Sequence, residues 1–124
     1  MKRNVEKQRH ATMQINYKKK NITLSIKQLS LFGKFFGLMF RTPKTENLLF
    51  SFPRDTKKAF HSLFVFFPFL MLWLDKKKKV TDWRLVKPFS TVILAKKKFR
   101  YVVEIPLNQK NKRIVEFFVE RGKV

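Results

Sequence analysis

Cysteine is absent from this chain of 124 residues, and histidine and glycine are scarce. The lack of cysteine excludes disulfides, thiolate zinc sites and cysteine nucleophiles, and it fits a reducing compartment. A metal site needs several convergent ligands, whereas the two histidines, His10 and His61, have no obvious partners nearby in the sequence. Three glycines cannot build a glycine-rich phosphate loop. The sequence therefore predicts no cofactor, no metal site and no catalytic residue, and it favours a non-enzyme without excluding an enzyme.

Acidic residues are also few, because eight Asp and Glu face 29 Lys and Arg and leave a formal net charge of +21. Such a chain associates with polyanions through counterion release, whether or not this is its role. A hydrophobic content of 44% with fifteen Phe argues against a disordered basic tail. The charge has two interpretations: a cationic binding surface, or a lysine-rich composition that is simply exposed to solvent.

An apolar run long enough to span a membrane is missing too. The uncharged stretch Ala59–Leu74 is shorter than the about 20 apolar residues of a membrane helix, and Pro68 lies near its middle. Its aromatic and β-branched residues favour a central β-strand that is buried on both faces. The beginning of the chain has no apolar region typical of a secretory signal, so we expect a cytoplasmic protein.

Alternation of apolar and polar residues predicts most of the secondary structure. Met13–Tyr17 and Ile22–Ile26 alternate on either side of the polar turn Lys18–Asn21, which predicts a β-hairpin. Further strands are predicted at Leu48–Phe52, Phe60–Phe67, Phe69–Leu74, Val80–Val86, Thr91–Ala95 and Phe99–Leu107, with the last two forming a second hairpin.

Two helices complete the prediction. Ser30 can cap a short helix over Leu31–Phe40, although two glycines weaken it. The segment Asn108–Gly122 carries apolar residues at spacings of three and four and predicts a C-terminal helix, while its β-branched residues leave a strand open. We expect an α+β fold with a mainly antiparallel, partly barrel-like sheet. Residues 1–11 are expected to be a flexible basic arm, and residues 12–124 a single globular domain.

The lysine clusters suggest where such a domain could bind. If the last four predicted strands form an antiparallel meander, the turns Lys76–Lys79 and Lys96–Lys98 emerge at the same end of the sheet. Seven lysines at one end would attract phosphate groups, and Asp75 and Asp82 are expected to pair with some of them. The alternative is that lysines are suitable turn residues and protect strand edges. The candidate polyanion-binding residues are Lys76, Lys77, Lys78, Lys79, Lys96, Lys97, Lys98 and Arg100.

Four segments resemble a known family. They are Gly37–Arg41 (GLMFR), Leu48–Phe52 (LLFSF), His61–Asp75 (HSLFVFFPFLMLWLD) and Tyr101–Pro106 (YVVEIP). In order and spacing they are similar to motifs of the domain of unknown function 192 family, over residues 22–124. Leu70 stands where that family usually has an acid, and the glycine that usually follows the last strand's proline is missing, since Pro106 is followed by Leu107 and Asn108. The resemblance implies a small β-rich fold with peripheral helices and no established activity.

Three functional hypotheses follow. The first is a non-enzymatic binding protein that contacts nucleic acid or another polyanion through its lysine-rich turns. The second is a small-ligand binder or enzyme with a pocket in the sheet, for which Arg41, His61 and Glu104 are the candidate residues. The third is a protein-interaction module that uses exposed Phe and Trp.

Overall fold

The chain forms one six-stranded sheet. The computed structural model describes residues 9–29, 38, 41–62 and 64–121. The elements are β1 (Arg9–Tyr17), β2 (Lys20–Gln28), β3 (Leu48–Thr56), β4 (Phe69–Leu74), β5 (Val80–Val86), β6 (Phe99–Pro106) and the helix α1 (Lys112–Arg121). The strand order is β1-β2-β3-β6-β4-β5. All neighbouring strands are antiparallel except β2 and β3. The predicted α+β class is confirmed.

The sheet curls until its first strand, β1, reaches the hairpin formed by β4 and β5, the last two strands in the sheet order. The Asn16 amide donates a hydrogen bond to the Lys78 carbonyl at 3.0 Å. Nearby, the Trp83 indole Nε1 donates to the Tyr17 hydroxyl at 3.1 Å. These bonds tie β1 to β5 at one end only, so the sheet is a half-barrel, as the partly barrel-like prediction requires.

Strand β4 is the centre of the molecule. All of its side chains are buried, because β6 and β5 flank it and both of its faces are covered. One face contributes Met71 and Trp73 to one apolar cluster, and the other contributes Leu70 and Leu72 to a second. Burial of each such side chain stabilises the fold by roughly 1.5–3 kcal/mol. The second half of the apolar run, Phe69–Leu74, is therefore a core strand, as predicted.

Helix α1 covers the face of the sheet that carries Leu70. Its Phe118 is fully buried and its ring centroid lies 4.6 Å from that of Tyr17. Asn108 Oδ1 accepts a hydrogen bond from the Asn111 amide at 2.9 Å and so caps the turn that leads into the helix. The predicted C-terminal helix is confirmed, and the strand alternative is wrong.

Two predicted strands are wrong. In Phe60–Phe67 and Thr91–Ala95, only Phe60 and Ile93 form a β-bridge, and the remaining described residues are loops. The two loops, 60–68 and 87–95, are instead joined by the buried Ser62, whose amide donates to the Ser90 carbonyl at 2.8 Å. The predicted meander is also wrong, because β6 pairs with β4 and β3 rather than with the segment before it.

Strand β1 begins at Arg9, which pairs with Gln28, so residues 9–11 of the expected arm belong to the sheet. The predicted helix Leu31–Phe40 lies outside the described residues, except for Leu38 in a turn. In the part of the chain that the structure describes, no helix is long and apolar enough to cross a membrane.

Candidate functional site

Three lysine turns lie at the same end of the sheet; we call them the lysine end. Lys76–Lys79 connects β4 to β5, and Lys96–Lys98 precedes β6, which begins beside the end of β4. The third turn, Lys18–Lys20, connects β1 to β2 and follows Asn16, which is hydrogen bonded to the tetralysine turn. All ten of these lysines are exposed. The sequence predicted two of these turns together and missed the third, because only the curl of the sheet brings β1 to β5.

The aspartates of this end bind backbone amides rather than the lysine ammonium groups. Asp75 Oδ1 accepts hydrogen bonds from the amides of Lys77 and Lys79 at 2.9 and 3.0 Å. Asp82 Oδ2 accepts one from the amide of Lys96 at 3.0 Å. The expectation that these aspartates pair with lysine charges is therefore wrong. The carboxylates shape the turns, and in the described part of the chain no ion pair within 4 Å neutralises the lysine side chains of the lysine end.

A small cleft of about 250 Å³ opens between two of the lysine turns. It is lined by Asp55, Asp75, Lys76, Lys77 and Lys98. Arg100 forms an ion pair with Asp55 at 3.1 Å, so this predicted binding residue already has an anionic partner. Lys78 lies over the ring of Tyr101, with its ammonium 5.7 Å from the ring centroid. The structure thus brings the predicted cationic residues together, but it assigns Arg100 and Lys78 internal contacts.

Unusual backbone conformations are concentrated at two surfaces. In the described residues, positive φ angles at non-glycine positions occur at Lys18, Lys19, Lys78, Phe64 and Phe89. The three lysines belong to the lysine end, where glycine or asparagine would fit the turns with less strain. Retained strain of this kind is typical of functional sites.

The two phenylalanines belong to a second surface, on the paired loops at the other end of β4. We call it the apolar surface: Phe64, Phe66, Phe89, Val92 and Leu94, each about half exposed. The rings of Phe66 and Phe89 pack edge to face with centroids 5.4 Å apart. The sequence predicts exposed aromatic residues only in general terms, since a continuous apolar run does not show which residues point outward.

The predicted pocket residues Arg41, His61 and Glu104 line none of the clefts described in this section. Glu104 lies on β6 between the fully buried Leu48 and Met71, and only 6% of its surface is exposed. Burial raises the pKa of its carboxyl to about 8; a hydrogen bond with the Leu38 backbone and the charge of Arg41 lower the pKa, but less. A carboxyl with this pKa is mostly protonated at neutral pH.

Glu104 nevertheless joins the segments on which the family resemblance rests. Leu38 and Arg41 come from GLMFR, Leu48 from LLFSF, and Met71 from the long apolar segment. His61, in contrast, is exposed beside Phe60, at the far end of β6. The convergence around Glu104 indicates that these segments hold the fold together.

A larger cleft of about 630 Å³ lies between the β1–β2 hairpin and the beginning of α1. His10 Nδ1 lies 3.4 Å from the Glu46 carboxylate at its edge, and Lys110 and Arg113 add positive charge. None of the predicted pocket residues lines it. The cleft could not be predicted from the sequence, because His10 lies in the segment expected to be a flexible arm.

Comparisons with known proteins agree with the fold. A crystal structure of a protein of unknown function from Novosphingobium aromaticivorans has a TM-score of 0.69 at 16% identity, covering 86% of this chain and 79% of that one. A candidate transcription regulator from Sinorhizobium meliloti has a TM-score of 0.68 at 19% identity, covering 86% and 85%. At these identities the likeness shows the fold alone.

Sequence comparison gives the family. No curated protein matches the chain. The model of the family DUF192, described as an uncharacterized ACR, matches residues 12–116, which includes all six strands except the beginning of β1. The suspected resemblance is therefore confirmed, and this chain belongs to the DUF192 family.

Proposed function

We propose that this protein is a non-enzymatic binding protein that contacts nucleic acid or another polyanion through its lysine end. One observation carries the proposal: three lysine turns from distant parts of the sequence meet at one end of the half-barrel. The aspartates among them are occupied by backbone amides, so they leave the lysine charges available to a partner.

Electrostatics make this end the favoured contact for an anion. Lysine ammonium groups that lie within one Debye length, about 10 Å at 0.1 M salt, repel one another. A polyanion that neutralises them relieves this repulsion and releases its own counterions, which strengthens binding. The strained turns at Lys18, Lys19 and Lys78 support the proposal, since lysine is kept where glycine or asparagine would be less strained.

A binding titration with matched variants tests the proposal. We expect the triple variant K76Q/K77Q/K98Q to bind duplex DNA and single-stranded RNA at least about tenfold more weakly than the unmodified protein at low salt. The control K44Q/K110Q/K112Q removes the same charge from exposed lysines near the beginning of α1, at the other end of β6. It should bind almost as well as the unmodified protein. Equal losses of affinity in both variants would show that binding depends on net charge alone and would overturn the proposal.

A further inference from the structure

The apolar surface is held rigidly in an exposed position. Ser62 is fully buried; its Oγ donates a hydrogen bond to the Lys87 carbonyl at 2.8 Å and accepts one from the Ser90 amide at 2.6 Å. Its carbonyl also accepts bonds from the amides of Val65 and Phe89. One side chain and its backbone therefore join both loops next to the exposed phenylalanines.

Two of these phenylalanines have left-handed backbones. Phe64 has a φ of 64° and Phe89 a φ of 61°, a region that is rarely occupied by aromatic residues. About half of the Phe89 side chain is exposed, so apolar burial within the protein does not explain its strain. Strain that the surrounding structure maintains is typical of a contact surface.

The apolar surface continues along the chain into the lysine end. Ile93 and Ala95 point into the core, so Val92 and Leu94 point outward, and Lys96–Lys98 follows directly. Lys87, beside Phe89, is also exposed. The partner that fits this combination is both apolar and anionic.

Three possible partners are less suited to this surface. Bases can stack on Phe66 or Phe89, but Val92 and Leu94 offer no aromatic ring for stacking. A second copy would carry the same net charge of +21 and be repelled. A folded protein partner usually fills a cleft or packs on a flat area, whereas these side chains protrude, and the two clefts described above are lined by other residues.

We propose that the apolar surface inserts into the interface of an anionic lipid bilayer while the adjoining Lys87 and Lys96–Lys98 contact its headgroups. The electrostatic half of this inference rests on the proposed function. Aromatic and aliphatic side chains beside lysines are the combination that peripheral proteins use at anionic membranes. No membrane-spanning segment is needed, because only side chains at the loop tips would enter the lipid.

Sedimentation with sucrose-loaded vesicles tests the inference. The vesicles contain either phosphatidylcholine alone or two parts phosphatidylcholine and one part phosphatidylglycerol. We expect binding to the anionic vesicles, and an affinity at least about tenfold lower for the variant F66S/F89N, because less apolar area enters the lipid. Asparagine is chosen at position 89 because it tolerates a positive φ. The control L85S removes an exposed leucine on the opposite face of the sheet and should bind normally.

A fluorescence measurement tests the same inference without removing an apolar side chain from the surface. The variant F66W places a fluorophore on the apolar surface, and its emission should shift to the blue and be quenched by brominated lipid in anionic vesicles. If F66S/F89N binds vesicles as tightly as the unmodified protein, or if F66W shows no quenching, the inference is overturned. If the membrane inference is overturned but K76Q/K77Q/K98Q still loses DNA binding, the proposed function is supported and only the membrane inference fails. Loss of RNA binding or of self-association in F66S/F89N, with vesicle binding unchanged, would assign the surface to base stacking or to a second copy instead.

Discussion

At the scale of single residues, Glu104 and Ser62 show how polar groups are accommodated inside an apolar fold. Glu104 is surrounded by buried apolar side chains, and burial favours its protonated form. Ser62 satisfies its buried hydroxyl with backbone groups of the neighbouring loop. Neither residue lines one of the described clefts.

Glu104 makes the stability of the protein depend on pH. Its pKa rises from 4.5 to about 8 on folding, so between these values the folded state holds a proton that the unfolded state releases. Its contribution is therefore fully present below pH 4.5 and is lost as the pH rises to 8, by as much as roughly 5 kcal/mol. Urea unfolding at several pH values should show this decline for the unmodified protein and not for E104Q. Parallel pH profiles for the two proteins would contradict the assignment.

Removal of the Ser62 hydroxyl should destabilise the paired loops. In S62A the Ser90 amide loses its acceptor in a buried environment, which we expect to lower the free energy of unfolding by about 1–2 kcal/mol. The control S25A changes an exposed hydroxyl on β2 and should have an effect below about 0.5 kcal/mol. Urea unfolding measures both variants. Equal stabilities for S62A and the unmodified protein would show that Ser62 does not hold the loops.

At the scale of elements, the local sequence pattern predicted those features that depend only on interactions between residues close in the sequence. The alternation in β1 and β2, the buried β4 and the helical spacing of α1 all describe one element and its covered face. The pattern could not show that β6 lies between β3 and β4, because strand order depends on contacts between distant residues. For the same reason it could not show that Lys18–Lys20 joins the lysine end.

The wrong strand predictions have a related cause. Phe60–Phe67 has the composition of a strand, but Ser62 forms its bonds across to Ser90 and Phe64 has a positive φ, which interrupts an extended chain. The relative positions of the candidate pocket residues were only partly predictable for the same reason. Arg41 influences Glu104 through space, whereas the exposed His61 lies on a loop at the other end of β6.

The β1–β2 turn provides a test of strain at the lysine end. Lys18 and Lys19 have φ angles of 51° and 69°, a turn that Asn-Gly fits better. We expect K18N/K19G to raise the free energy of unfolding by about 1 kcal/mol, because relief of left-handed strain at two residues exceeds the loss of the hydrogen bond from Lys18 Nζ to the Arg121 carbonyl. The variant should also weaken DNA binding at low salt. Urea unfolding and a DNA titration measure the two effects. A more stable variant with unchanged affinity would exclude this turn from the binding surface.

At the scale of the whole molecule, the residues that stabilise the fold are separate from those that we propose bind a partner. The apolar residues of the central strand and the α1 face build the core, while the connections between strands carry the positive charge. The curl of the sheet gathers three of these connections at one end, and the paired loops present apolar side chains at the other end of β4. The family and the fold are shown by comparison, whereas the binding role is our proposal from this distribution of charge.

The salt dependence of DNA binding tests that proposal most directly. Each lysine that neutralises a phosphate adds about 0.9 to the magnitude of the slope of log affinity against log salt. If the lysine end is the contact, K76Q/K77Q/K98Q should lower this magnitude by roughly 2–3, while K44Q/K110Q/K112Q leaves it nearly unchanged. Identical slopes for the two triple variants would contradict the account, since they would show that the anion responds to net charge and not to the lysine end.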